Sequence, residues 1–212
     1  MSNTAASRTK DLMIDVARQL FAKLGISNTT MNDIADKAQK GRRTIYTYFR
    51  SKADIITAII QKELDTMADN LRAAKASKLR PENKLILFIY THLESMKEIV
   101  ERNGSLHAEF FSDIHLVERT RRSFDREEQI MIRDILDEGV VGGHFSIVNT
   151  NIAATVIMGS LKGLEVPYIS GRIRNKTGED FDEFRCTVEQ MLLNGIRPPR
   201  GVRSKYLASE SN

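Results

Sequence analysis

The sequence predicts an all-α protein with a small three-helix domain at the N-terminus and a longer helical domain after it. Apolar residues recur every three or four positions along most of the 212 residues, and no stretch shows the alternation of a strand. Charge is also uneven: residues 1–52 hold ten basic and four acidic side chains, a formal charge of +6, whereas the rest of the chain carries −2. This division favours a basic module attached to a nearly neutral body, with about nine helices in all.

The predicted helices are marked by boundary signals. Gly25 ends the first helix, because glycine readily takes the left-handed conformation that closes a helix. Thr30 and Asp33 form the pattern of a capping box, Asn149 fits a helix start, and Pro167 is expected to end the helix that Asn149 begins. The helices are predicted over about 8–24, 31–38, 42–48, a long stretch from Ser51, 81–101, 114–138, 150–166 and 179–194, with a short segment near 105–111.

Composition excludes several classes of protein. Cys186 is the single cysteine, so the chain forms no internal disulfide or multi-cysteine metal site, which favours a reducing cytoplasm. No apolar run approaches the ~18 residues of a membrane span, and the N-terminal stretch lacks the apolar core of a secretory signal. The signatures E-x-x-H, C-x-x-C, G-x-G-x-x-G and G-x-S-x-G are absent from the sequence. We therefore expect no enzyme activity, no metal, no cofactor and no membrane attachment.

The stretch from 31 to 48 has the spacing of a helix-turn-helix. A helix of about eight residues is followed by a turn of about four and a short helix rich in arginine, threonine and tyrosine. Such a unit sets its last helix in the major groove of DNA, where arginine can donate two hydrogen bonds to guanine and threonine can contact bases. Tyrosine and lysine can donate to phosphates. Residues 1–52 are therefore predicted to form a helix-turn-helix DNA-binding domain.

The same stretch resembles the N-terminal domain of TetR/AcrR-type bacterial transcription regulators. The resemblance covers about 50 residues and is carried by Ala17, Leu20-Phe21, Gly25, Thr29-Thr30, Ile34-Ala35, Ala38, Thr44-Ile45-Tyr46, Tyr48-Phe49 and Ser51-Lys52. It implies a domain core that includes Ile34, Ile45 and Phe49.

The resemblance also implies two groups of DNA contacts. The residues expected to contact phosphates are Thr30, Tyr46 and Lys52. The residues expected in or beside the major groove are Arg42, Arg43, Thr44, Thr47 and Tyr48. The alternative for the two tyrosines is a core position with a satisfied hydroxyl, and the alternative for the two arginines is ordinary solvated surface.

The turn departs from the family pattern. The family commonly has glycine at the position of Gln39, an apolar residue at that of Lys40 and serine at that of Gly41. Here the glycine stands where the third helix is capped, and glycine is a weaker cap than serine. The geometry of the turn is left open, and a lysine is added beside the expected phosphates.

For the rest of the chain, the resemblance implies dimerisation through the last two long helices and a ligand pocket among the middle helices. The interface candidates are small or apolar: Gly159, Ser160, Gly163, Phe181, Phe184, Val188 and Met191. The pocket candidates are Phe88, His92, Met96, Phe110, Phe111, His115, Met131 and Met158. The alternatives are a monomer whose last helices close its own core, and Met and aromatic side chains that are ordinary core. The charged run over 118–128 is predicted to be a solvated helix face.

These expectations lead to one function and two alternatives. The expected function is that of a cytoplasmic homodimeric repressor, released from a palindromic double-stranded DNA operator by a small-molecule effector. The alternatives are a ligand-independent architectural or cell-division factor on the same scaffold, and a helical-bundle enzyme, which the missing signatures disfavour. The domains are expected at 1–52 for DNA binding and 53–196 for regulation and dimerisation, followed by a flexible basic tail at 197–212.

Overall fold

The computed structural model describes residues 2–103, 114–172 and 179–196, with side chains from 5–103, 118–172 and 186–196. These ranges contain eight helices and no strand: α1 Ser2–Leu24, α2 Met31–Lys37, α3 Arg42–Tyr48, α4 Lys52–Lys75, α5 Pro81–Asn103, α6 Ile114–Val141, α7 Thr150–Ile169 and α8 Glu179–Ile196. The all-α class is confirmed, and the eight described helices stand close to the predicted nine. The predicted short segment near 105–111 and the tail at 197–212 lie outside the described residues.

The end of α7 differs from its prediction for a clear physical reason. Pro167 was expected to end α7, but the helix continues to Ile169 with the proline inside it. Proline removes one backbone donor, the N–H that would bond to the Gly163 carbonyl. The last turn still closes, because the Ser170 N–H donates to the Val166 carbonyl at 3.0 Å. The prediction that Pro167 stops the helix is therefore wrong.

The chain divides into two compact units. Of the described residues, the head unit comprises 2–66, 98–103 and 114–124, and the body unit comprises 67–97, 125–172 and 179–196.

The head unit has an apolar core supplied mainly by α1 to α4. Its buried members are Met13, Ile14, Val16, Ala17, Phe21, Met31, Ile34, Ala35, Ala38, Ile45, Phe49, Ile55 and Ile59. Ile34 and Ile45 are fully buried and Phe49 is 2% exposed, which confirms their expected place in the core. Because α2 packs against both α1 and α3, these side chains fix the orientation of the two helices of the helix-turn-helix.

In the body unit, α7 has two apolar sides. Its buried side carries Ala154, Ile157, Met158, Leu161, Glu165 and Tyr168. Ile152, Val156 and Val166 lie on the opposite side and are 63%, 61% and 56% exposed. This composition makes α7 the one described helix that is long and apolar enough to cross a membrane, although a third of its span is buried inside the unit. A helix that packs on its own unit with one side and presents a second apolar side accounts for the same composition.

Candidate nucleic-acid interface

The helix-turn-helix begins with the capping box that the sequence predicts. The Thr30 hydroxyl accepts a hydrogen bond from the Asp33 N–H at 3.2 Å, and the Asp33 carboxylate accepts one from the Thr30 N–H at 2.7 Å. The Thr30 hydroxyl also donates to that carboxylate at 2.7 Å. The hydrogen bonds from the Thr30 hydroxyl and N–H hold the pKa of Asp33 below its ordinary value. The box fixes the first turn of α2.

A Schellman motif ends α2 and sets the turn. The Gln39 N–H donates to the Asp36 carbonyl at 3.0 Å, and the Lys40 N–H donates to the Ala35 carbonyl at 2.9 Å. The motif requires a left-handed residue, and Gln39 has a φ of 53°, the one positive φ among the described non-glycine residues. This conformation costs an L side chain about 1 kcal/mol relative to glycine. The turn therefore places a non-glycine residue in the left-handed conformation, at a local energetic cost.

The third helix presents its basic residues to solvent and its apolar residues to the core. Ile45 and Phe49 are buried, whereas Arg42, Arg43 and Thr47 are exposed. Within the described part of the chain, no ion pair involves either arginine. Two guanidinium groups at the start of α3 are thus available to an external hydrogen-bond acceptor.

Contacts within α3 order its exposed side chains in pairs one turn apart. The Arg42 guanidinium lies over the ring of Tyr46, 5.8 Å from its centroid. The Thr47 hydroxyl donates to the Arg43 carbonyl at 3.0 Å, which leaves its lone pairs as acceptors. Tyr46 is 44% exposed, so the core alternative does not hold for its side chain. Thr44 is half-buried at the start of the same helix.

Tyr48 and Lys52 are tied more closely to the head unit. Tyr48 is half-buried and packs with part of its side chain against the head core. The Lys52 ammonium donates to the Ile26 carbonyl at 2.7 Å and keeps two further N–H donors. Because Ile26 lies between α1 and α2, this contact holds the start of α4 to that connection.

Other basic residues of the head unit have acidic partners. Lys62 lies 2.9 Å from Asp15, Arg102 lies 3.1 Å from Glu63, and Arg18 lies 3.4 Å from Glu63. Together with Ile14, Ile59 and Thr66, these residues line a cleft of about 310 Å³. The predicted pocket residues do not line this cleft. Each of its three cations lies within ion-pair distance of a carboxylate, unlike the arginines of α3.

A buried ionic cluster joins three helices of the body unit. His92 on α5 contacts the carboxylate of Glu128 on α6 through Nδ1, and its Nε2 lies 3.1 Å from Oε1 of Glu165 on α7. Burial lowers the pKa of His92, but hydrogen bonds to the two carboxylates outweigh it and raise the pKa to about 9. The histidine is therefore an imidazolium that donates from both ring nitrogens. The second carboxylate oxygen of Glu128 is buried without a hydrogen-bond partner among the described residues.

Sequence reasoning identified His92 but missed both of its partners. Glu128 and Glu165 lie 36 and 73 residues away along the chain, so no local spacing connects them to the histidine. Glu128 also belongs to the charged run over 118–128, where a solvated face is predicted. That prediction is wrong for Glu128, which is fully buried.

The remaining pocket candidates are partly described. Phe88, Met96, Met131 and Met158 are buried in the body unit. Phe110 and Phe111 lie outside the described residues, as does the side chain of His115. In the described ranges, no group of three His, Cys, Asp or Glu side chains could hold a metal ion.

The predicted interface residues lie on α7 and α8. Gly159, Ser160 and Gly163 are exposed, Met191 is 74% exposed and Val188 is half-buried. A Cβ added at Gly159 or Gly163 would meet nothing within 4 Å. The side chains of Phe181 and Phe184 lie outside the described residues.

Comparison with known proteins places this geometry among bacterial regulators. Residues 13–59 match the model of the TetR family of bacterial regulatory proteins. The chain is 29% identical to the HTH-type transcriptional repressor KstR2 of Rhodococcus jostii over 149 residues, 68% of this chain and 70% of that protein. It is 29% identical over 124 residues to the HTH-type transcriptional regulator TtgR of Pseudomonas putida, which covers 56% of this chain and 59% of TtgR.

Two further likenesses extend over most of the chain. The nucleoid occlusion factor SlmA of Haemophilus influenzae is 20% identical over 195 residues, 89% of this chain and 88% of SlmA. The crystal structure of a TetR/AcrR-family transcriptional regulator from Thermobifida fusca aligns with a TM-score of 0.66 and 26% identity, covering 89% of this chain and 98% of that one.

A helix-turn-helix with an exposed basic third helix, in an otherwise all-helical chain, defines a DNA-binding transcriptional regulator. The family match covers the head core, and the likeness to the T. fusca regulator covers both units. The chain belongs to the TetR/AcrR family of bacterial transcriptional regulators.

Proposed function

We propose that the protein is a homodimeric repressor that binds a palindromic operator and leaves it when a small-molecule effector binds the body unit. The observation that carries this proposal is the pair Arg42 and Arg43, exposed at the start of α3 and without an ion pair among the described residues. Side chains in this position reach base edges when such a helix enters the major groove. The repressor KstR2 and the regulator TtgR, as relatives, support the regulatory part.

The proposed DNA contacts divide by chemistry. Base edges and the groove are contacted by Arg42, Arg43, Thr44, Thr47 and Tyr48, and phosphates by Thr30, Tyr46 and Lys52. Because the Arg42 guanidinium lies over the Tyr46 ring, a residue assigned to base edges is in contact with a residue assigned to phosphates. Phosphate contacts set the register of the helix on DNA, whereas the arginines supply sequence preference.

The exposed side of α7 supports dimerisation. Ile152, Val156, Gly159, Gly163 and Val166 follow at intervals of four, three, four and three residues, which places them on one stripe of the helix. A glycine inside a helix costs about 1 kcal/mol relative to alanine. Nothing in the described chain lies within 4 Å of where a Cβ of Gly159 or Gly163 would stand, so packing among the described residues gives no reason for either glycine.

Close approach of a second copy accounts for the glycines and for the exposed apolar residues beside them. A two-fold dimer of this kind presents two copies of α3 to successive major grooves, about 34 Å apart. This spacing is the physical reason to expect a palindromic operator.

The interior of the body unit supports an effector site. Phe88, Met96, Met131 and Met158 supply buried apolar surface, and His92 belongs to a polar cluster buried in the same unit. The unpartnered carboxylate oxygen of this cluster can accept a hydrogen bond from a ligand. An effector that prefers one arrangement of the dimer would shift its population. The shift would reach the heads through α4, which contributes residues to both units.

Selection of bound sequences from a random DNA pool tests the DNA-binding part. The expected result is an enriched palindrome with half-sites about one helical turn apart. A pool without any enriched motif would contradict sequence-specific binding, and a single unpaired motif would contradict the dimer.

Val156→Glu tests the dimer directly, because it places a charge in the middle of the exposed stripe. The variant should sediment as a monomer and select single half-sites. Asn151→Glu is the matched control, since it adds the same charge to an exposed position of α7 outside the stripe. A Val156→Glu protein that remains dimeric would exclude this side of α7 as the interface.

A second candidate is a ligand-independent DNA-binding factor in chromosome organisation or cell division. The likeness to SlmA over 89% of the chain favours it, at lower identity than the repressor relatives. A genome-wide binding map separates the two, because a repressor occupies a few operators beside genes and an architectural factor occupies many dispersed sites. Either role is proposed for the cytoplasm, with DNA binding by 1–52 and regulation and dimerisation by 53–196.

A further inference from the structure

The turn of the helix-turn-helix contains a glutamine in a backbone conformation that is unfavourable for this residue type. Gln39 has a φ of 53°, a conformation that glycine adopts freely and other L residues adopt rarely. Its side chain is exposed, and the described hydrogen bonds include none from that side chain. No contact in the described head unit therefore offsets the strain.

The position of Gln39 suits a contact outside the protein. The Schellman hydrogen bonds of residues 39 and 40 hold its backbone in place, so the Cα–Cβ bond of Gln39 has a fixed direction. Gly41, two residues later, is the N-cap of α3, and Arg42 follows. When α3 enters a major groove by its first turn, the residues just before it lie at the rim of the groove, where the phosphates run.

We propose that Gln39 positions α3 on the operator by donating a hydrogen bond from its side-chain amide to a phosphate oxygen. The amide carries two N–H donors and no charge, so the contact adds a hydrogen bond without releasing a counterion. The neighbouring Lys40 and the other cations of the head supply the charge-dependent part of binding. This inference rests on the proposed DNA-binding function and adds a contact to it.

Gln39→Gly separates the strain from the contact, because it relieves one and removes the other. The melting temperature should rise by about 2–4 °C. The Kd for the selected operator and for a random duplex should both rise about five-fold. The slope of log Kd against log salt should not change, since no counterion is involved.

Three outcomes of this variant would overturn the inference. An unchanged Kd would show that Gln39 does not touch DNA, and a loss confined to the selected operator would indicate a base contact instead. A melting temperature that does not rise would show that the left-handed glutamine carries no strain.

Gln39→Glu provides a variant of the same size and backbone strain in which the donor is replaced by an anion. It should weaken binding more than Gln19→Glu, which adds the same charge at an exposed position of α1. If the two variants lose the same amount of DNA affinity, the added negative charge alone explains the loss, and a local contact of Gln39 is contradicted. Arg43→Ala, measured in parallel, separates the two levels of proposal. If Arg43→Ala also leaves operator binding intact, the proposed DNA contacts of α3 are wrong. If only Gln39→Gly leaves it intact, only the proposed contact of Gln39 is wrong.

Discussion

The head and body units hold their key charged groups in opposite ways. In the head, Arg42 and Arg43 are exposed and have no ion pair among the described residues, whereas in the body His92 and Glu128 are fully buried and hydrogen-bonded to each other. An exposed guanidinium keeps most of its hydration, so it costs the fold little and stays available to a partner. A buried ion pair loses its hydration and depends on its partner inside the protein. Changes to the first kind of charge should therefore alter binding, and changes to the second kind should alter stability.

His92→Ala should have the largest effect on stability. It leaves the carboxylates of Glu128 and Glu165 without their shared cation, and breaking a buried ionic contact in this way costs about 3–5 kcal/mol of the free energy of unfolding. Urea denaturation followed by far-UV circular dichroism measures the loss. The matched control is His144→Ala in the same unit, because His144 lies 3.1 Å from Glu82 but is a third exposed. That pair should cost less than about 1 kcal/mol. Equal losses at the two histidines would contradict the distinction between buried and exposed charges.

The pH dependence of stability should identify the same histidine. The pKa of His92 rises from 6.5 to about 9 on folding. The protonated form is thus favoured by the fold, so its stabilisation is fully present below pH 6.5 and is lost as the pH rises to about 9. The difference corresponds to roughly 3 kcal/mol. Unfolding free energies measured between pH 6 and 9.5 should fall by about this amount in the wild type and much less in His92→Ala. Parallel curves for the two proteins would show that another group is responsible.

Arg43→Ala should leave stability nearly unchanged and weaken operator binding by about 1–3 kcal/mol, with a smaller effect on random DNA. Lys52→Ala is the comparison within the head, because Lys52 is assigned to a phosphate. It should weaken binding to both DNAs equally and flatten the salt dependence by about one counterion. Titrations with operator and random duplexes at several salt concentrations measure both. If Arg43→Ala lowers affinity for both DNAs alike, its role in base recognition is wrong.

The same contrast explains how much of the molecule the sequence predicts. The head could be predicted in detail because its signals are local: the capping box of Thr30 and Asp33 is confirmed, and so are the buried Ile34, Ile45 and Phe49. The fold class follows from periodicity in both units. The body cluster could not be predicted, because its three members come from different helices and Glu128 sits in a run whose other charges are mostly exposed. Long-range burial of a polar residue leaves no mark in local spacing.

The turn between α2 and α3 could be predicted only in part, unlike the head core and the body cluster. The sequence reveals that Gln39 and Gly41 depart from the family pattern, but not that the backbone keeps a left-handed residue at 39. The hydrogen bonds that end α2 form a Schellman motif, and this motif has its left-handed residue at position 39, where the sequence has glutamine. The sequence thus located the unusual turn, and the structure shows that Gln39 is the residue with the unfavourable backbone conformation.

Gly41→Ser should give the smallest effect and completes the comparison inside the turn. Gly41 has extended angles of −66° and 150°, which serine adopts readily, and an added Cβ would meet only Oγ1 of Thr44 at 3.9 Å. A serine hydroxyl there can accept from an N–H of the first turn of α3, but glycine is already a fair cap, so the gain should be a few tenths of a kcal/mol. Thermal melting should show a rise of about 1 °C. Gly41→Ala is the control and should melt below the wild type, because it adds a side chain without an acceptor. If serine and alanine behave alike, the α3 amides are not open to a cap, and the cost of the unusual turn lies at Gln39 alone.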